Sequence, residues 1–354
     1  MSTDKLRAAV VGLGIGMSHV SAFLTVPDQY DLVAVCDIDA AKGQQVADGL
    51  KIDYVASLDA LCARDDVDVI DICTPPYLHR RQIEEVLAAG KHAICEKPLV
   101  SSLAEVDELK AIQAQSAHYI MPIFQYRFGH GLQKLKFLVE RGLAGTAYTT
   151  TVDTAWRRGA DYYAIPWRGK WQTELGGALM THAIHAHDMV TYILGPIANV
   201  FARTATRVNL IEVEDCASVS LQMADGSLAA MSVTLGSAVE ITRHRFCFSN
   251  LTAESNTEPY RNSHDPWTFT GYTPQATAEI AAALAEFVPL PEHYAGQFYR
   301  FYQTVTTGAP LPVTLDDSRA SIELLTAMYY SSRTGEAISL PLGSDHPYYA
   351  GWLP

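Results

Sequence analysis

No stretch of this sequence is long and apolar enough to span a bilayer, because glycines interrupt the first apolar run at Ala8–Gly16 and no later run approaches the roughly 20 residues required. Cysteine is scarce. The six, at 36, 62, 73, 95, 216 and 247, share no close pairing motif, which argues against a disulfide framework and for a reducing compartment. Cys36, Cys73 and Cys95 lie inside apolar strand patterns, where cysteine behaves as a small hydrophobe. Basic residues are in deficit, 26 Lys and Arg against 39 Asp and Glu, for a net charge of −13. Neither nucleic acid nor an anionic membrane surface is therefore expected as a main partner. Internal repeats and low-complexity tracts are also missing. These absences leave a cytoplasmic globular protein, and 354 residues exceed what a single core supports, so two domains are expected.

The first third alternates short apolar runs with helical patterns. Leu6–Val11 reads as a buried strand that passes directly into Gly12-Leu13-Gly14-Ile15-Gly16, with Met17 opening a helix. Glycines at a strand-to-helix turn let the backbone approach a pyrophosphate, which then rests on helix N-terminal amides. The next strand, Asp31–Cys36, ends at Asp37, the acid expected to accept hydrogen bonds from an adenosine ribose. Ile38, Asp39 and Ala40 follow it, and Lys42 is the nearest cation. A 2′-phosphate would meet two carboxylates here, so NAD is expected rather than NADP. Further strands at Ile52–Val55, Val67–Ile72, Lys91–Cys95 and Tyr119–Phe124 complete an N-terminal Rossmann-type doubly wound parallel sheet.

Beyond Gln125 the pattern changes. Strand-like alternation appears at Ala147–Trp156, Val200–Val208, Ala217–Met223, Leu228–Thr234 and Arg243–Phe248, with a hairpin turn at Ala224-Asp225-Gly226. The fold class is thus α/β, with a C-terminal α+β domain on a mostly antiparallel sheet. We divide the chain into an NAD-binding domain, 1–124, and a substrate-binding and oligomerisation domain, 125–354. Gly176–Gly195 is expected as one helix with a polar stripe of Thr181, His185, Asp188 and Tyr192.

Two motifs carry chemistry. Glu96-Lys97-Pro98 ends the Lys91–Cys95 strand, at the carboxyl edge where open α/β sheets bind ligands. A lysine there is costly to desolvate unless paired or functional. His185 lies three residues before Asp188, which is placed to fix the tautomer of its ring. Removing hydride from a secondary alcohol requires its proton to leave too, and a histidine or a lysine of lowered pKa can take it. His182, His185 and His187 do not converge at helical spacing, so no metal is expected.

Together the glycine turn, Asp37, Thr74-Pro75 through His79, Ala89–His92 leading into Glu96-Lys97-Pro98, the Gly176–Asp188 helix and the closing stretch Phe298–Pro341 resemble the Gfo/Idh/MocA oxidoreductases. The resemblance implies an open second sheet whose outer face mediates homodimers or homotetramers. It places Lys97 and His185 at catalytic positions. It also implies cofactor contacts from Gly12, Gly14, Ile15, Gly16, Met17, Asp37, Ile38, Thr74, Pro75, His79, Glu96 and Lys97. Many members carry Asp or Asn four residues before the histidine; here Thr181 stands there, and it cannot hold a negative charge beside the imidazole.

The segment Trp156–Trp171 is dense in aromatics and bases just ahead of the His185 helix. Sugars present apolar C–H faces and a ring of hydroxyls, so Trp156, Tyr163 and Trp167 are expected to offer a flat surface. Arg127, Arg157, Arg168, Thr181, His182 and His185 are expected to supply polar contacts. The expected activity is NAD-dependent oxidation of a ring secondary hydroxyl of a sugar, cyclitol or polyol. The alternatives are NAD-assisted glycoside cleavage or epimerisation without net redox change, and a non-catalytic NAD-binding sensor. A cis Lys97–Pro98 bond is also expected, at the point where the chain must turn.

Overall fold

The computed structural model describes residues 5–353, which fall into two compact units. The first comprises residues 5–125 and His293–Arg319; the second comprises Tyr126–Glu292 and residues 320–353.

In the first unit the strands are β1 (Leu6–Val11), β2 (Tyr30–Cys36), β3 (Asp53–Val55), β4 (Val69–Ile72), β5 (His92–Cys95) and β6 (Ile120–Pro122). They form a parallel sheet in the order β3-β2-β1-β4-β5-β6, with the reversal of a doubly wound fold beside β1. β1 and β4 are almost wholly buried, as strands covered on both faces must be. Helices α1 (Gly16–Leu24), α2 (Ala40–Leu50), α3 (Leu58–Cys62), α4 (His79–Ala88) and α5 (Leu103–Gln113) connect them. Asp39, Ser57 and Ser102 cap α2, α3 and α5 by accepting from backbone N–H groups.

The segment from His293 differs from the expected division at residue 125. Its helix, His293–Thr307, packs an aromatic face on α1. Phe298 stacks on Phe23 at 4.2 Å, and the Tyr30 hydroxyl donates to the Phe298 carbonyl. Nothing local in that amphipathic helix says which core its aromatic face covers.

The second unit holds β7 (Ala147–Arg157), β8 (Ile197–Ala205), β9 (Cys216–Met223), β10 (Leu228–Thr234), β11 (Gly236–Phe248), β12 (Leu251–Glu254), β13 (Thr268–Gly271) and β14 (Ile338–Ser339). The order is β13-β12-β11-β7-β10-β9-β8-β14, antiparallel except between β7 and β10. The turn at Asp225-Gly226 joins β9 to β10 as expected, with Gly226 at φ +88°. Alternate residues of β9 and β10 are buried, so one face is covered and the other open. The covered side includes Leu132, Leu135 and Leu138 of α6 (His130–Glu140), packed with Met189, Ile193, Phe246, Leu251 and Trp267.

The expected helix Gly176–Gly195 is broken. After the short helices α7 (Ala160–Tyr163) and α8 (Trp171–Glu174) come α9 (Ala178–Thr181) and α10 (Ile184–Leu194), separated at His182 and Ala183. Thr181 and His185 therefore belong to different helices. Among the described residues no helix is long and apolar enough to cross a membrane.

Candidate functional site

Three strand ends of the first unit's parallel sheet carry the expected residues on its carboxyl side. After β1, Gly12 adopts φ +87°, and a Cβ there would lie 2.7 Å from the Cys73 carbonyl oxygen. Only glycine lets this turn cross so close to the end of β4. Gly14 faces open space, Ile15 and Met17 are exposed, and α1 begins without any side-chain cap. Its first turn closes on backbone alone, with the Ser18 N–H on the Ile15 carbonyl at 2.8 Å and the Met17 N–H on the Gly14 carbonyl at 3.5 Å, so an anion would meet the amides ahead of these. After β2, the Asp37 carboxylate accepts from the Leu13 amide at 2.7 Å and the Asp39 amide at 2.9 Å. A carboxylate has about four lone-pair sites, so acceptor capacity remains for ribose hydroxyls. Ile38 beyond it is fully exposed. These features fit an NAD phosphate on the turn and an adenosine ribose on Asp37.

After β5 the chain enters Glu96-Lys97-Pro98 with a cis Lys97–Pro98 bond. Lys97 is partly exposed, whereas Glu96 is buried. One Glu96 oxygen accepts from the Lys97 amide at 3.0 Å, and the other faces His19 Nε2 at 3.0 Å and the Tyr294 hydroxyl at 3.1 Å. His79 is buried, with its ring nitrogens at 2.9 Å from the Pro98 carbonyl and 2.8 Å from the Thr74 carbonyl; burial lowers its pKa. Glu96 and His79 were expected to touch the cofactor. Their burial instead makes them supports: His79 ties the Thr74-Pro75 turn to the Lys97 turn, and Glu96 folds back on the Lys97 amide.

In the second unit the entry to the His185 region is held by Glu214. This buried carboxylate accepts from the Gly177 and Leu179 amides, both at 3.0 Å, and from the Tyr329 hydroxyl at 3.1 Å. Burial pushes it up to about 7 against those donors. A Cβ on Gly177 would come within 1.8 Å of the Glu214 carbonyl, so no other residue fits at the start of α9. His185, on α10, stacks flat on Tyr126 at 4.4 Å.

Asp188, expected to orient His185, takes both Nε (2.8 Å) and Nη2 (2.5 Å) of Arg127 in a buried pair. Arg127 is thus turned inward, with two of its three nitrogens on Asp188, which corrects its expected role as a substrate donor. His187 points into the core, where neither ring nitrogen has a hydrogen-bond partner among the described residues. Burial, with His244 nearby, lowers its pKa to about 3.

The aromatic and basic segment is organised around Arg158, which sequence reasoning did not select. Its guanidinium lies over Trp156 at 4.9 Å and Tyr162 at 5.3 Å, pairs with Glu240 at 2.9 Å, and bonds the Tyr260 hydroxyl. Its Nε donates to His182 Nε2 at 3.1 Å. Arginine only donates, so that imidazole nitrogen accepts and Nδ1 carries the proton. Nδ1 then donates to Thr181 Oγ1 at 2.7 Å, which donates in turn to the Gly177 carbonyl at 2.8 Å. Thr181 thus anchors His182.

Trp156 is buried, with its indole N–H on Thr242, so it backs the cluster and offers no open surface, contrary to expectation. The exposed ring over it is Tyr260, at 4.6 Å. Arg168 lies between Tyr162 (3.9 Å) and Trp167 (4.5 Å), while Tyr163 packs edge-on to Tyr162. Arg157 is exposed and meets Glu240 only through its backbone amide. Tyr260 and Glu214 lie far along the chain from this segment, and only their approach in space reveals them.

Residues 6–124 match the family described as oxidoreductase family, NAD-binding Rossmann fold, and residues 132–250 match the GFO/IDH/MocA C-terminal domain. The chain is 30% identical to an uncharacterized oxidoreductase, YrbE, of Bacillus subtilis, over 65% of this chain and 67% of that protein. It is 27% identical to the inositol 2-dehydrogenase of Rhizobium meliloti, over 95% and 99% of the two chains. Among solved structures, the WlbA dehydrogenase of Chromobacterium violaceum, in complex with NADH and UDP-GlcNAcA, superposes with a TM-score of 0.84 at 28% identity, covering 97% of this chain and 98% of that one. With the glycine turn and Asp37 as described, NAD is the cofactor of the first unit, and the chain is an oxidoreductase of the GFO/IDH/MocA family.

Proposed function

We propose that the protein oxidises a ring secondary hydroxyl of a sugar, cyclitol or related polyol. Lys97 and His185 take up the hydroxyl proton, and NAD supplies the hydride acceptor. The observation that carries this reading is the Lys97 turn at the carboxyl end of β5, on the same sheet edge as the glycine turn and Asp37. Two relatives add support: one is an inositol 2-dehydrogenase, and the other is a dehydrogenase in complex with NADH and UDP-GlcNAcA.

Gly12, Gly14, Ile15, Gly16 and Met17 hold the phosphates, Asp37 and Ile38 border the adenosine ribose, and Thr74 and Pro75 line the cofactor edge. Tyr163, Trp167, Arg157, Arg168, Thr181 and His182 border the substrate, joined by Tyr260 and Arg158. Assembly uses the open sheet face. There Phe201, Ser220, Ala230 and Thr151 form an exposed, uncharged row across β8, β9, β10 and β7, suited to burial against a second copy as a homodimer or homotetramer.

The test is a panel of inositols, neutral sugars and uronates assayed for NADH absorbance. Lys97→Ala is expected to abolish turnover with little effect on NAD binding, and His185→Ala to slow it on the order of 10²–10⁴-fold. Wild-type rates and pH profiles in both variants would refute the assignment. Product formation without NADH accumulation would replace it with a redox-neutral reaction.

A further inference from the structure

Behind Lys97 lies a buried charge network that the expected chemistry does not use. His19 of α1 is fully buried, with Nδ1 2.7 Å from Asp71 Oδ2 and Nε2 3.0 Å from Glu96 Oε1. Both acceptors are carboxylates, so a ring that bonds to both donates from both nitrogens and carries a positive charge. Burial alone would lower the His19 pKa, but Asp71 and its neighbours raise it well above the ordinary value. Burial pushes the Asp71 carboxyl up, and His19 holds it back.

The network continues outward. Gln125 donates to the Tyr294 hydroxyl, Tyr294 donates to Glu96, and the Cys73 thiol lies 3.7 Å from the second Asp71 oxygen. The Tyr294 ring packs on His19 at 4.1 Å. The groups facing this core are Asp71, Cys73, Cys95, Glu96, Tyr30 and Tyr294. Burial raises both thiols and the Tyr30 phenol, so these three stay neutral.

His19, Asp71 and Cys73 also bring three metal-type donors within 4.8 Å. Their spacing is that of hydrogen bonds, however. Donors on one tetrahedral zinc, each about 2.0–2.2 Å from the ion, stand wider apart than the 2.7 Å between His19 and Asp71.

We infer that His19 is a positioning residue for Lys97: clamped between Asp71 and Glu96, it fixes the carboxylate that holds the Lys97 amide, and so ties the cofactor-binding helix α1 to the lysine turn. Asp71 anchors the clamp to the middle of the sheet. Glu96 transmits it, because one of its oxygens meets His19 and the other meets the Lys97 N–H. A carboxylate bonded on both oxygens cannot swing, and the peptide it holds cannot re-aim the lysine.

This inference rests on Lys97 being the reacting lysine, so its test includes a readout that needs no turnover. Trace acetic anhydride labelling of the cofactor-free protein across pH, read on the Lys97 peptide by mass spectrometry, gives the midpoint at which Lys97 loses its proton. His19→Gln removes a nearby positive charge and should move that midpoint up. Asp71→Asn removes a negative charge and should move it down. A loss of packing alone would not produce opposite shifts. Turnover in both variants should fall on the order of 10²-fold, the cost of a misplaced catalytic group, with NAD affinity nearly unchanged. Opposite labelling shifts with unaffected turnover would support the clamp and count against Lys97 as the reacting group. Folded variants with wild-type labelling and turnover would overturn the clamp. If His19→Gln does not fold, Asp71→Asn decides by the same two readouts.

Discussion

The Arg127–Asp188 pair offers a quantitative test of how the His185 helix is held. Its side chains are only 6% and 2% exposed, and the two contacts, at 2.8 and 2.5 Å, form a bidentate fork. Each hydrogen bond to a charged group contributes about 1.5–3 kcal/mol, so two amount to about 3–6 kcal/mol. Removing one partner loses these bonds and strands a buried charge, together costing about 3–5 kcal/mol. Asp188→Asn or Arg127→Met alone should therefore remove a large share of the roughly 5–15 kcal/mol that keeps a domain folded. Arg127→Met with Asp188→Leu should come much closer to wild type, since an apolar pair avoids desolvating both ions. The readout is built in, because all five tryptophans, at 156, 167, 171, 267 and 352, belong to the second unit. Their fluorescence during urea unfolding reports that unit selectively. Asp188 lies one helical turn beyond His185, so each single variant should also lower kcat more than it changes KM. Single variants each costing under about 1 kcal/mol, or a double variant costing the sum of the singles, would refute this account.

His187 should show itself through pH. Its folded pKa of about 3 lies below the ordinary value, so the unfolded chain takes up the proton first as pH falls. Stability is then lost by about 1.4 kcal/mol per pH unit below about 6.5, or about 3 kcal/mol by pH 4. His187→Leu should gain on wild type by that amount between neutral pH and pH 4, in urea unfolding followed by tryptophan fluorescence; a constant difference across that range would rule it out. For the cofactor, Asp37→Ala should weaken NAD binding, and Asp37→Ala with Ile38→Arg should shift preference toward NADP in calorimetric titrations. Comparable wild-type affinity for NAD and NADP would contradict the role given to Asp37.

Much of the first unit was legible because its signals are local. A strand apolar but for Arg7, Leu6–Val11, a glycine turn and an acid at the next strand end each state their own role within a few residues. The helix break at His182 was not legible, since Thr181-His182-Ala183-Ile184 contains neither glycine nor proline. What accompanies the break is remote: Glu214 grips the amides of Gly177 and Leu179, and Arg158 holds the His182 ring. Arg127 was misread for the same reason, because its partner is 61 residues away and nothing beside it indicates burial. Trp156 looked like a sugar platform until Tyr260, 104 residues later, proved to be the exposed ring. His19 left a fainter trace, as a polar residue next to Val20 on the apolar side of α1. Asp71 left another, as a charge inside a strand buried on both faces.

Those buried charges share a logic. Among the described residues each unit encloses a buried, hydrogen-bonded ionic cluster, His19–Asp71–Glu96 in the first and Arg127–Asp188 in the second. Taking an ion out of water costs several kcal/mol, and an apolar replacement of similar volume is often the more stable choice. General stability therefore does not account for either cluster. Position does: one ends on the amide of Lys97, and the other sits one helical turn from His185. Proton transfer falls off steeply when a donor or acceptor is misplaced by an ångström. Directional, charge-assisted bonds define a side chain's place more sharply than non-directional apolar packing. The ionic clusters thus stand where the proposed chemistry asks for fixed geometry, and the rest of each core, built from valine, leucine and phenylalanine, supplies the stability that offsets their cost.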